Sequence, residues 1–216
     1  SLFGDAGDDT VKGEGDNDQI SGFSGIDSLD GGAGIDRVSE TADTNIVITG
    51  LTMVSAFLGT ETHVGIERYN LNGGDGANLI DVRLSGVFAI VHGNGGNDTL
   101  LGSAFADQIF GDAGTDVISG GAGVDILDAG DSLNDVFYEK ADSDFTITPT
   151  NGGFVVVSAA TGNETVLNFE KVAIVGGSGA NRIDCSALTR NCTLLGGGGN
   201  DTLLGGSVAD ILIGGS

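Results

Sequence analysis

Residues 93–128 read GNGGNDTLL GSAFADQIF GDAGTDVIS GGAGVDILD, four nine-residue units in register. Their sixth residues are Asp98, Asp107, Asp116 and Asp125, and their eighth are Leu100, Ile109, Ile118 and Leu127. A fixed period of this kind marks a repeat architecture. Glycines gather at positions 1, 2 and 4, where a tight turn demands backbone conformations closed to other residues. Residues 7 to 9 make a short strand, and side-chain alternation turns the aliphatic eighth residue inward. Two units close one flattened coil with a turn at each edge, so turns 18 residues apart stack on the same edge.

The same phase runs outward from this stretch. From residue 4 come GDAGDDTVK, GEGDNDQIS, GFSGIDSLD and GGAGIDRVS, with Asp9, Asp18, Asp27 and Asp36 at position 6. From Gly196 come GGGGNDTLL and GGSVADILI, with Asp201 and Asp210. A longer repeat lies over these: GGDGANLID at 73 matches GGSGANRID at 176, and GNDTLLG at 96 matches GNDTLLG at 199, both with an offset of 103. Related segments precede each copy, GTETHVGIERYNLNGG at 59 and GNETVLNFEKVAIVGG at 162. The chain is therefore about two copies of one module. It opens within a residue or two of one repeat and stops inside another at Gly214-Gly215-Ser216, as a piece cut from a longer protein would.

The expected fold is all-β: a parallel β-roll or β-helix solenoid with interspersed β-strand inserts. Roll blocks are expected at 1–39, 73–135 and 176–216, the last truncated, and inserts at 40–72 and 136–175. NIVITGLTMVSAF and DFTITPTNGGFVVVSAA are rich in Val, Ile, Thr and Phe, and TNGG signals a hairpin turn. These inserts read as antiparallel strands that extend or flank the roll, serving as plain spacers; the other reading is a binding surface.

Composition narrows the partners. The chain has 216 residues, 8 Lys+Arg against 31 Asp+Glu, a formal net charge of -23, 40 Gly, 1 Pro, 10 Phe and no Trp. The low aromatic content argues against a bulky globular core. Glycine without a G-x-y period argues against collagen. Charge alone suits a disordered chain, but the regularly spaced apolar residues oppose that. Nucleic acid and anionic membrane surfaces are repelled and cations attracted. No apolar run is long enough to span a membrane.

Stacked carboxylates need a counter-charge. A hard cation with oxygen ligands supplies it, and calcium accepts both carbonyls and carboxylates. Magnesium demands stricter octahedral geometry, and zinc prefers His or Cys, which the turns lack. These nonapeptides resemble the G-G-x-G-x-D-x-U-x repeats of the RTX, or haemolysin-type, calcium-binding family, over three blocks covering somewhat under half the chain.

The resemblance implies a ligand scheme. One turn supplies the carbonyls of positions 1 and 3 with its Asp, and the next turn on that edge supplies the carbonyls of positions 2 and 4 with its own. Carried over, Gly4, Ala6 and Asp9 pair with Phe23, Gly25 and Asp27, and Gly13, Gly15 and Asp18 pair with Gly32, Gly34 and Asp36. Likewise Gly93, Gly95 and Asp98 pair with Asp112, Gly114 and Asp116, and Gly102, Ala104 and Asp107 pair with Gly121, Gly123 and Asp125. About four Ca2+ sites are expected, with Asp201 and Asp210 lacking complete partners. Asp16 and Phe105 replace the fourth glycine. Asn78 and Asn181 hold position 6 in turns that lie 20 residues before the next, so their sites should be weak or empty. AGDSLND at 129 is a degenerate turn.

Parity points Cys185 and Cys192 inward, at places where the other copy has Val82 and Ala89. A disulfide, suited to an oxidising exterior, or two reduced buried thiols are the readings. His63 and His92 read as surface or strand residues, not ligands. No G-x-S-x-G, H-E-x-x-H or phosphate-loop motif is present, and periodic carboxylates look like repeated ligands, not a glycosidase pair. The chain is thus expected to be no enzyme. It reads as an adhesin-like structural module of a secreted or cell-surface bacterial protein, touching neighbouring modules of the same long chain and a surface or matrix partner. The alternative is an accessory C-terminal module of a secreted protease, lipase or polysaccharide-modifying enzyme. The resemblance also implies type I secretion, with folding on calcium outside the cell.

Overall fold

In the computed structural model, which describes residues 1–216, the chain is all-β and forms two sheets of twelve strands each. No helix is long and apolar enough to cross a membrane. Successive strands alternate between the sheets. Each pairs in parallel with the strand one coil away: Thr99, Leu100 and Leu101 face Val117, Ile118 and Ser119, and Gln108, Ile109 and Phe110 face Ile126, Leu127 and Asp128.

The inward turn of position 8 fills the space between the sheets. Ile20, Leu29, Val38, Leu100, Ile109, Ile118 and Leu127 are fully buried in one continuous apolar cluster. Parallel strands buried on a common face supply the non-local contacts that hold so glycine-rich a chain together.

Each insert departs from this winding in the same way. Ile46–Thr49, Thr52–Ser55 and Gly59–Val64 form an antiparallel meander within one sheet. Phe145–Pro149, Gly153–Ser158 and Gly162–Leu167 form a second meander within the opposite sheet. At the second hairpin the Thr150 N–H donates to the Gly153 carbonyl at 2.9 Å, and Gly152 takes φ 99°, as the TNGG turn demands. The strands that frame the meanders, such as Arg37–Thr41, Arg68–Asn72, Val136–Lys140 and Lys171–Val175, run parallel within the roll.

The change of sheet has a simple cause. Eight single strands lie between the two meanders. Counting a meander as one pass, the stretch from the first insert up to the second contains nine passes, an odd number, so the second insert arrives on the other side. Two extra strands in one sheet are balanced by two in the other.

The second insert also carries more aromatic bulk than the composition suggests. Phe137, Phe145, Phe154 and Phe169 are fully buried. Phe137 packs edge-on against Phe154 and Phe169, with ring centroids 5.6 and 6.1 Å apart.

Candidate metal sites

The turns fall into two classes by backbone conformation. In one class positions 2 and 4 both take positive φ, whatever residue stands there: Asp5 and Gly7, Glu14 and Asp16, Phe23 and Gly25, Gly32 and Gly34, Asn94 and Gly96, Asp112 and Gly114, Gly121 and Gly123, and Gly197 and Gly199. Asp16 adopts φ 73° and so preserves the turn shape without the fourth glycine. Where such turns stack, the position-4 carbonyl of one points at position 4 of the next. A Cβ on Gly25 would collide with the Gly7 carbonyl oxygen, and one on Gly114 with that of Gly96. Position 3 pairs along the same stack, Ala6 with Ser24, Gly15 with Ala33 and Gly95 with Ala113.

The position-6 aspartates form a ladder along each edge. The N–H of Asp9 donates to Asp27 Oδ1 at 2.9 Å, that of Asp18 to Asp36 Oδ1 at 2.7 Å, and that of Asp98 to Asp116 Oδ1 at 2.8 Å. The other oxygen of each carboxylate has nothing to bind. Oδ2 of Asp27, Asp36, Asp98, Asp116, Asp125, Asp135 and Asp201 is buried without a hydrogen-bond partner. A buried anionic oxygen left unpaired costs far more than a satisfied one. A hard cation removes that cost, and these oxygens lie beside stacked turn carbonyls, which are its preferred company. No three acidic, histidine or cysteine side chains already close on one point, so backbone carbonyls are needed to complete each coordination sphere. Burial is the largest cause that pushes Asp98 and Asp116 up to about 6, with neighbouring carboxylates adding to it.

The structure thus brings together Gly4, Ala6 and Asp9 with Phe23, Gly25 and Asp27, and Gly13, Gly15 and Asp18 with Gly32, Gly34 and Asp36. It does the same for Gly93, Gly95 and Asp98 with Asp112, Gly114 and Asp116. The turn of Gly102, Ala104 and Asp107 differs from the ligand set the resemblance implies. Ser103 and Phe105 lack positive φ. Asp107 Oδ2 accepts the Ser103 N–H at 2.6 Å and hydroxyl at 2.8 Å, and Oδ1 accepts the Ala89 N–H at 2.7 Å. Both oxygens are satisfied by protein, so Asp107 closes its own turn. Gly121, Gly123 and Asp125 keep the open shape across from it.

Asn78 and Asn181 close their turns similarly. Asn78 Oδ1 accepts the Gly74 N–H and Asn181 Oδ1 the Gly177 N–H, each at 2.9 Å, while their Nδ2 groups turn to Asp43 and Asp142. On the asparagine side the twenty-residue step leaves no free side-chain oxygen.

Several acids escaped the nonapeptide reading. Asp135, in the degenerate turn, accepts the Asp116 N–H at 2.7 Å and continues that edge beyond Asp116. Glu67 accepts the Asp36 N–H at 2.8 Å, and Glu170 the Asp135 N–H at 3.1 Å. Glu61 stands opposite Asp27 and His63 opposite Leu29. Each of these acids precedes an inward residue by two, as the position-6 aspartates of the first two blocks do, and that spacing was the available signal.

His63 therefore occupies a core slot. Its Nδ1 meets the Tyr69 hydroxyl at 2.9 Å and its Nε2 meets Glu61 Oε2 at 3.0 Å. Burial holds the imidazole down to about 4, so it is neutral and donates to Glu61 without forming an ion pair. His92 is a half-buried strand residue that stacks on Phe110 and reaches Asp112 Oδ2 at 3.0 Å. Cys185 and Cys192 are both buried free thiols. Their mutual hydrogen bond, followed by burial, pushes the Cys185 thiol far above the ordinary range.

Residues 3–38, 92–127 and 193–216 match the RTX calcium-binding nonapeptide repeat, with four copies of it detected. No curated protein matches the chain. The all-β roll and these repeats make the chain a calcium-binding repeat module of a kind typical of secreted bacterial proteins.

Proposed function

We propose, on the premise that these segments are RTX calcium-binding nonapeptide repeats, that the chain is a non-enzymatic structural module of a secreted or cell-surface protein, folded by calcium outside the cell. The observation that carries this reading is the row of buried, partnerless Asp Oδ2 atoms along both edges. Calcium seats between Asp9 and Asp27, between Asp18 and Asp36, and between Asp98 and Asp116. The unpartnered Oδ2 of Asp135 adds a place beyond Asp116. Calcium that enters there joins one coil to the next.

The energetics fit a switch. Extracellular modules bind calcium with dissociation constants of roughly 10⁻⁴ to 10⁻³ M. At ten times that constant each site adds about 1.4 kcal/mol to folding. Four sites add about 5–6 kcal/mol, comparable to the net stability of a whole domain. Where calcium is scarce, carboxylate repulsion and the conformational entropy of glycine keep the chain loose, which suits export as an unfolded polymer. Outside the cell Cys185 and Cys192 join as a disulfide, with molecular oxygen or an exchanging disulfide taking up the two electrons and two protons. The duplicated module supports a spacer or adhesive role in a longer array, not an accessory to one catalytic domain.

Circular dichroism in EDTA, followed by millimolar calcium, tests the switch. The expected result is a disordered spectrum that becomes β-rich on calcium addition. A β spectrum unchanged by either step would reject calcium-triggered folding.

A further inference from the structure

Where the roll meets its insert, each module sets two glutamates from outside the nonapeptide ligand scheme beside one position-6 aspartate of a turn, so that three carboxylates gather. In the first they are Asp27, Glu40 and Glu61, and in the second Asp125, Glu139 and Glu164. All six are at most 2% exposed. The two trios are built alike. Glu40 Oε1 accepts the Gly22 N–H at 2.8 Å, and Glu139 Oε1 accepts the Gly121 N–H at 3.2 Å. Glu61 stands opposite Asp27 in the sheet register, and Glu164 precedes Thr165, which stands opposite Ile126, the neighbour of Asp125.

The trios hold free oxygens aimed inward. A Cβ placed on Gly22 would sit 2.6 Å from Asp27 Oδ2 and 2.9 Å from Glu61 Oε1, so both oxygens face one point. Neither has a hydrogen-bond partner. Asp125 Oδ2 and both oxygens of Glu164 are likewise buried and unpartnered, as is the Thr161 hydroxyl. No Lys or Arg pairs with any of them, the ion pairs to Arg lying at Asp81 and Asp184. Three anions in a dry pocket without a counter-charge are unstable. Their donors are all oxygen, and the one nearby imidazole nitrogen is already bonded to Glu61.

We propose that each trio is a carboxylate-rich calcium site, one per module, that fastens the insert to the roll. It rests on the calcium reading above only for the identity of the ion. No three of these side chains close on one point by themselves, so the site also needs oxygens from the adjoining turn backbone. Three side-chain charges, against two in a turn site, make these the tighter sites, since ligand charge raises calcium affinity.

Equilibrium dialysis of the whole chain with radiolabelled calcium tests this. The wild type is compared with Glu61→Gln/Glu164→Gln and with the turn variant Asp98→Asn/Asp116→Asn. We expect the first variant to bind two fewer ions and the second to lose turn ions. An unchanged count in the first variant alone overturns the junction sites and leaves the turn sites standing. An unchanged count in the second alone does the reverse, and no change in either sinks both readings.

Should the double Gln variant fail to fold, terbium replaces calcium as the probe. The chain has 2 Tyr and no Trp, and Tyr69 is joined through His63 to Glu61. Tyrosine-sensitised terbium emission should fall in Glu61→Gln. Emission equal to wild type would also overturn the proposal.

Discussion

The two inserts enter the roll at equivalent points but fill the space beneath them with different chemistry. Under the first meander, Met53 and Leu58 pack beside a hydrogen-bonded chain from Glu61 through His63 to Tyr69, which crosses from one sheet to the other. Under the second, Val166 and Val172 hold the places of His63 and Tyr69, and four buried phenylalanines supply the volume. The acids are retained in both copies while their neighbours change. Core filling in this fold is therefore interchangeable, and the carboxylate positions are the shared element.

The largest expected effect breaks the comparison at its aromatic side. Phe154→Ala in saturating calcium should cost about 3–5 kcal/mol, as full-size core truncations do. The equivalent strand offers Met53→Ala, which should cost less because thioether packing adapts and no ring stack is lost. Denaturant unfolding of both variants checks this, and equal losses would remove the distinction.

The next effect separates the acids. Burial is the largest cause that pushes Glu40 to about 7 and Glu61 to about 8, with a neighbouring carboxylate adding to each. Burial likewise pushes Asp125 and Glu139 to about 7. The calcium-free folded state thus holds protons that the unfolded chain releases above its ordinary carboxylate range. Stability in chelator should be fully present below about pH 4.5 and lost as pH rises through about 7 to 8, a change of a few kcal/mol. Acid should partly replace calcium in ordering the chain, as circular dichroism from pH 4 to 8 would show. Glu164→Gln should flatten this dependence more than Glu61→Gln, because Glu61 keeps a hydrogen bond from His63 and Glu164 has none.

Two smaller effects sharpen the picture. Oxidation of Cys185 and Cys192 should add about 2 kcal/mol, the value for closing so short a loop. Cys185→Val/Cys192→Ala, which copies Val82 and Ala89, should fold equally well with or without reductant. The least effect is expected at the self-closed turn. Ser103→Ala removes the hydroxyl bonds to Asp107 and Phe105 and should cost about 1 kcal/mol. The number of calcium ions bound should not change.

The roll was legible in the sequence because two periods coincide, glycine-aspartate turns every nine residues and an inward aliphatic two residues after each Asp. The inward facing of Cys185 and Cys192 followed from the same parity. The acids of the inserts were not legible, because the meanders break the count along the chain while preserving it in space. Glu61 lies 34 residues from Asp27 in sequence yet stands directly opposite it. The turn at Asp107 departs from its neighbours for another reason. Its aspartate is in phase, but its carboxylate accepts the Ser103 N–H and hydroxyl, and only side-chain placement reveals that.

The odd number of passes from one insert to the next has a mechanical consequence. A meander adds two strands to one sheet and none to the other, so by itself it would curve the axis like a wedge driven into one side of a stack. Because the next wedge enters from the opposite side, the curvature cancels. An array of such modules would be a straight rod, with its hairpins alternating left and right like rungs on a pole.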